Sequence, residues 1–172
     1  MVPADVLNDK TKTSKQKVKL LGSGLLNGEL TADELVAFAQ KATSADKATC
    51  IEALEWATKT KPALASKKVF LFVTRSLMDT APRVKWESAK VIGNTAHLFP
   101  SLLGQPIANL LTNSEDSGAV VRWASAYALA EILKLKTRYN EELIPAIEVI
   151  CNREPDSAVK KKYLAALEKV GN

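Results

Sequence analysis

Apolar positions recur at helical spacing along nearly the whole chain. Placing Val84 at zero and advancing about 100° per residue gathers Ser88, Val91, Ile92, Thr95, Ala96 and Phe99 into one sector. Val121, Ser125, Ala128, Leu129, Ile132 and Leu133 fill the same sector of a second segment. Strand signals are sparse. Only Val69-Phe70-Leu71-Phe72-Val73 has β-like composition, and it lies in a stretch from Ala63 to Met78 that lacks Gly and Pro and is long enough for a helix. Thr31 with Glu34 makes a capping box ahead of Leu35, Val36 and Phe38, and Ser44 or Asp46 can cap the stretch that ends near Thr60. Pro62 and Pro82 stand where first-turn prolines belong. Further helices are predicted near Lys15 to Leu26, Ser101 to Thr112, Gly118 to Lys136, Glu141 to Cys151 and Ser157 to Val170, about nine in all. Their short joins favour antiparallel neighbours. The glycine cluster Gly22-Ser23-Gly24, with Gly28 after it, reads as an interhelical turn, because a dinucleotide loop would need a preceding strand. Residues 1–14 read as a polar or flexible segment.

The segments repeat. Asp79-Thr-Ala-Pro-Arg-Val84-Lys85-Trp86-Glu-Ser-Ala89 aligns without a gap on Asp116-Ser-Gly-Ala-Val-Val121-Arg122-Trp123-Ala-Ser-Ala126, an offset of 37 residues. A third copy, Asp156-Ser-Ala-Val159-Lys160, follows at 38, with Ala166, Leu167 and Val170 matching Ala128, Leu129 and Ile132. Pro106-Ile-Ala-Asn-Leu-Leu-Thr-Asn113 likewise matches Pro145-Ala-Ile-Glu-Val-Ile-Cys-Asn152. Each unit is helix, Asp-containing turn, helix. Such units cannot bury their apolar faces alone, so stacking must supply a continuous core.

At these residues the chain resembles the HEAT repeat family, whose unit pairs a Pro- and Leu-rich first helix with an Asp in the turn and a Val-Arg-x-x-Ala opening of the second helix. Val121-Arg122-Trp123-Ala124-Ser125-Ala126 and Val84-Lys85-Trp86-Glu87-Ser88-Ala89 carry the pattern, with Lys85 in place of the Arg. Residues 64–170 fit it; Lys15 to Thr60 fits in helix spacing but lacks the Val-Arg pair. The resemblance implies an all-α, right-handed α-α superhelix of the HEAT/armadillo solenoid type, with four to five helical hairpins in a single domain over residues 1–172. Its clearest repeats are 64–100, 101–137 and 141–170.

Composition narrows the function. The longest strongly apolar run, Val69 to Val73, falls far short of the roughly 20 residues that span a bilayer. With no apolar leader at the N-terminus, the chain is expected in the cytoplasm, or the nucleus where one exists. Cys50 and Cys151 are too few and too distant for a disulfide framework or zinc knuckle and read as reduced core residues. A single histidine, His97, and no Gly-Lys-Ser/Thr leave triads, zinc motifs and P-loops without their parts. No catalytic, metal or cofactor site is expected, and the chain reads as a non-enzyme.

A second stripe lies outside the apolar sector: Trp86, Lys90, Gly93 and His97, then Trp123, Tyr127, Ala130 and Lys134. The resemblance places this stripe on the concave face, where Trp86, Trp123 and Tyr127, interleaved with Lys90, Lys134 and Lys161, could bind a ligand; padding between repeats is the alternative use of the tryptophans. Trp56 could extend the stripe. Asp79, Asp116 and Asp156, with Lys85, Arg122 and Lys160, read as a cap-and-ladder system of structural use. The favoured function is a scaffold that binds a protein or peptide on its concave face. Nucleic-acid binding is the alternative, from a net charge of +5 and a sequence pI near 9.2. Its enzymatic variant rests on a likeness to the HEAT-like alkylpurine DNA glycosylases, which set tryptophans, an Asp and an Arg around damaged DNA; one turn after the two tryptophans this chain has Lys90 and Tyr127, with no Asp.

Overall fold

A computed structural model describes residues 1–171; Asn172, the last residue of the expected domain, lies outside them. The described residues form ten α-helices: α1 (Pro3–Asn8), α2 (Ser14–Asn27), α3 (Ala32–Ala39), α4 (Ser44–Thr60), α5 (Lys67–Ser76), α6 (Pro82–Thr95), α7 (Gly104–Asn113), α8 (Ala119–Lys134), α9 (Asn140–Arg153) and α10 (Ser157–Gly171). Local chemistry starts them. Thr31 accepts from the Glu34 amide while Glu34 accepts from the Thr31 amide, and Thr13 with Gln16 closes a second capping box ahead of α2. Thr43, not Ser44 or Asp46, caps α4. The apolar run Val69 to Val73 is helical within α5, since its register buries Val69, Phe70, Phe72 and Val73 together.

Two local expectations are corrected. Helix α2 runs unbroken through Gly22, Ser23 and Gly24, and the turn falls at Gly28, whose φ of 77° closes the helix in the left-handed conformation. The inner glycines serve close packing instead: a Cβ on Gly22 would overlap the Trp56 ring, and one on Gly24 the Met1 sulfur. Residues 3–8, within the expected polar segment, form α1. Pro3 starts it, Leu7 is buried, and the Met1 ammonium donates to the Glu29 carbonyl at 2.8 Å.

Consecutive helices pair into five hairpins, and the even-numbered helices stack directly on one another from α2 to α10 while the odd-numbered ones touch one another sparsely. A double layer tight on one side and splayed on the other curls with the tight layer inside, so α2, α4, α6, α8 and α10 form the inner face. One continuous core runs between the layers. The sector read from periodicity lines it: Ser88, Val91, Ile92, Thr95 and Ala96 are buried, Phe99 packs on Phe70 at a tilt of 33° with centroids 4.6 Å apart, and all six equivalents in α8 are buried.

A ladder fixes the spacing of the hairpins. The fourth residue of α4, α6 and α8 is Lys47, Lys85 and Arg122, and each reaches an acid in the turn of the following hairpin: Lys47 to Asp79 at 2.7 Å, Lys85 to Asp116 at 2.9 Å, Arg122 to Glu154 at 3.0 Å. In the last rung Glu154 replaces Asp156, which instead caps α10 by accepting from the amides of Ala158 and Val159. Burial pushes the Asp79 and Asp116 carboxyls up, but the lysine hydrogen bonds, local amides and lysine charges together hold both below the usual value of 3.8.

Candidate protein-binding face

The inner layer collects the aromatic stripe. Trp123 and Tyr127, one turn apart on α8, lie nearly parallel at 8° with centroids 6.1 Å apart. Tyr127 is held against α6 by two contacts: its ring fills the space left by Gly93, and its hydroxyl donates to Asn94 Oδ1 at 2.7 Å. Asn94 in turn donates to the Glu55 carbonyl and to Thr58 Oγ1 on α4, so a hydrogen-bonded chain crosses three inner helices. Burial, followed by the charges of Glu131 and Glu55, pushes the Tyr127 phenol up to about 12, which keeps it a neutral donor. From α10 the Lys162 ammonium lies over the shelf, 5.1 Å from the Trp123 ring and 5.9 Å from that of Tyr127.

Trp86 is half-buried against the core, and its indole N–H donates to Glu87 Oε1 at 2.8 Å. Glu87 is only 4% exposed, with the Lys90 ammonium 2.8 Å from Oε2 and Glu55 3.9 Å from the same lysine. Burial pushes the Glu87 carboxyl above its ordinary 4.5; the Lys90 hydrogen bond and charge and the Trp86 hydrogen bond offset part of this, and the nearby Glu52 charge adds to it. An acid shifted upward favours folding in its protonated form. Its contribution is full below the unfolded value and is lost as pH rises through the folded one. The Trp86 indole N–H resonance is therefore expected to titrate with an apparent pKa above 4.5, and to lose that titration in Glu87→Gln. The same titration in the variant would assign it to another group.

The structure brings Trp86, Lys90, Trp123 and Tyr127 together on adjoining inner helices and puts Lys134 beside Glu131 in an exposed ion pair. His97 lies just beyond the end of α6, exposed in a short 3-10 turn. Lys161 is exposed on α10, while its neighbour Lys162 is the residue on the aromatic shelf. Trp56, 38% exposed, leans on Gly22 and borders a groove of about 450 Å³ between α2 and α4 with Lys15, Lys19, Val18 and Glu52. Among the described residues no Asp pairs with either stripe tryptophan in the manner the glycosylase likeness requires. Glu87 takes the indole of Trp86, and Asp156, which borders a shallow groove with Trp123, is engaged in capping α10. Among the described residues no His, Cys, Asp and Glu side chains gather as a metal site, and no helix is long and apolar enough to cross a membrane.

No protein-family model matches the chain, and no curated protein matches it in sequence. Solved structures do. A chain of the CpcE–CpcF complex of phycocyanin lyase from Nostoc sp. PCC7120 superposes with a TM-score of 0.71 at 17% identity, over 96% of this chain and 95% of that one. A designed armadillo repeat protein in complex with the peptide (KR)4 gives 0.76 at 17% identity over 98% of this chain and 80% of its own, and a computationally designed armadillo repeat protein for modular peptide recognition gives 0.72 at 18% over 97% and 73%. The fold is thus an all-α repeat superhelix of the HEAT/armadillo type. Because a component of a lyase shares it almost end to end, the expectation of a non-enzyme, which rested on the absence of sequence motifs, does not stand.

Proposed function

We propose that the chain is a helical-repeat binding module whose inner face, centred on Trp86, Trp123 and Tyr127, receives a segment of a partner protein. The observation that carries this reading is the half-exposed Trp123–Tyr127 shelf, in which Trp123 stacks beside a Tyr127 ring that Gly93 and Asn94 fix in place. Rigid aromatic anchors that need no reordering are what a groove requires to bind with little entropic cost. Support also comes from the designed repeat proteins of the same fold, one of which is described with a bound peptide. Charge favours a protein segment over nucleic acid as the occupant. On the inner face Arg83 pairs with Glu52, Lys90 with Glu87 and Lys134 with Glu131, so the cations form no unbroken track for phosphates.

A second reading is suggested by the near-complete overlap with a chain of the phycocyanin lyase complex: the module acts as one member of a two-protein enzyme. Selection of displayed peptides against the wild type and against Trp86→Ala/Trp123→Ala tests the first reading. Enriched peptides are expected to lose at least tenfold in affinity for the double variant. Peptides that bind both proteins equally would move the site off the inner face.

A further inference from the structure

The charge of the occupant can be read at the α8–α10 end of the inner face. Between the C-terminal halves of these helices lies a cleft of about 200 Å³. Three alanines, Ala130, Ala165 and Ala166, keep it open, the Tyr127 ring forms a wall, and Lys134, Lys162 and Lys169 rim it. The one acid in the lining, Glu131, is tied to Lys134. Among the described residues Lys162 and Lys169 make no ion pair. They stand two turns apart on α10, roughly 10 Å along its axis.

Resting on the peptide-groove reading, we propose that the partner segment is acidic, with carboxylates at Lys162 and Lys169 and an apolar residue beside Trp123. Lys162 is already held over the rings, so its ammonium is positioned before the partner arrives. A carboxylate that meets it there completes an ion pair against an aromatic wall, where part of the solvent is excluded and attraction is stronger than at an open surface. A basic segment would meet like charge at the same place. A nucleic acid long enough to follow the inner face would run its phosphates past Glu52, Glu55 and Glu87 on α4 and α6, whereas a short acidic segment needs only the α8–α10 end.

The test is fluorescence anisotropy with three labelled dodecapeptides built from Glu-Ser-Leu, Gln-Ser-Leu or Lys-Ser-Leu repeats, titrated with wild type, Lys162→Gln/Lys169→Gln and Trp123→Ala, each checked for folding by circular dichroism. The Glu probe is expected to bind wild type at least tenfold more tightly than the other two and to lose that advantage in the double lysine variant. Equal binding of the Lys or Gln probe, or a Glu probe indifferent to the lysine variant, overturns the proposal. So does a labelled oligothymidylate that binds more tightly than the Glu probe and loses its affinity in the same variant, since that assigns the cleft to phosphate. If the Gln probe binds and is lost with Trp123→Ala alone, the groove reading survives and the acidic assignment falls. If no probe binds, or none responds to Trp123→Ala, both fall.

Discussion

Arg122→Ala is expected to destabilise the fold by about 3–5 kcal/mol, the cost typical of removing one partner from a buried ion pair. The guanidinium contacts Glu154 through Nε and one terminal nitrogen at 3.0–3.3 Å, and through the other terminal nitrogen donates to the Asp116 and Ser117 carbonyls at 2.9 and 3.1 Å. It therefore ties the α7–α8 turn and the α9–α10 turn to one side chain. The Glu154 carboxylate is 2% exposed, and without its cation it would stay buried with only the Asp156 amide as a partner. Chemical denaturation measures the loss. Arg122→Met/Glu154→Leu should recover most of it, because the penalty belongs to the orphaned charge more than to the absent attraction. Lys85→Ala, at the more exposed preceding rung, is expected to cost about 1 kcal/mol or less. Equal losses at Lys85 and Arg122 would contradict the ranking by burial.

Gly93→Val should cost about 3 kcal/mol, the upper part of the range for overpacking a filled interface. Even a Cβ at this position would overlap the Tyr127 ring, and a branched side chain adds two more carbons. To admit it, α6 and α8 must separate or Tyr127 must leave its shelf and give up its hydrogen bond to Asn94. The signature is non-additivity. Tyr127→Ala alone is destabilising, yet in the Gly93→Val background it should restore part of the lost stability, because it removes the clash. Additive losses, or a Gly93→Val change within about 0.5 kcal/mol of wild type, would show that this interface is looser than the structure has it.

These two positions also mark where the sequence was informative and where it was not. The repeat offset and the apolar sector told which residues occupy equivalent places in successive hairpins, and hence which helix face forms the core. Equivalence along a chain does not tell which residues touch across an interface. Lys161 occupies the place in α10 that Trp123 occupies in α8, but the residue that meets Trp123 must face back toward α8, and that is Lys162. The third rung was readable from the offset itself: a shift of 38 residues carries Asp116 onto Glu154, five residues before Val159, whereas Asp156 resembles it only in residue type. The inner glycines carried a readable signal that composition alone obscured. A glycine inside a helix costs about 1 kcal/mol against alanine, so Gly22 and Gly93 needed a packing reason, and each proved to hold an aromatic ring from the next inner helix. Helix α1 escaped notice because six residues are too few to display a period.

Three tryptophans give a direct view of the inner face, since each contributes one indole N–H resonance. The decisive measurement is a heteronuclear NMR titration of the full chain with a peptide obtained by selection, each indole assigned by substitution. The expected result is that the Trp123 and Trp86 signals shift and saturate together at the affinity measured by anisotropy, with Trp123 moving most. Saturable binding that leaves both indoles unmoved would place the partner elsewhere and contradict the central claim that the inner aromatic stripe is the binding site.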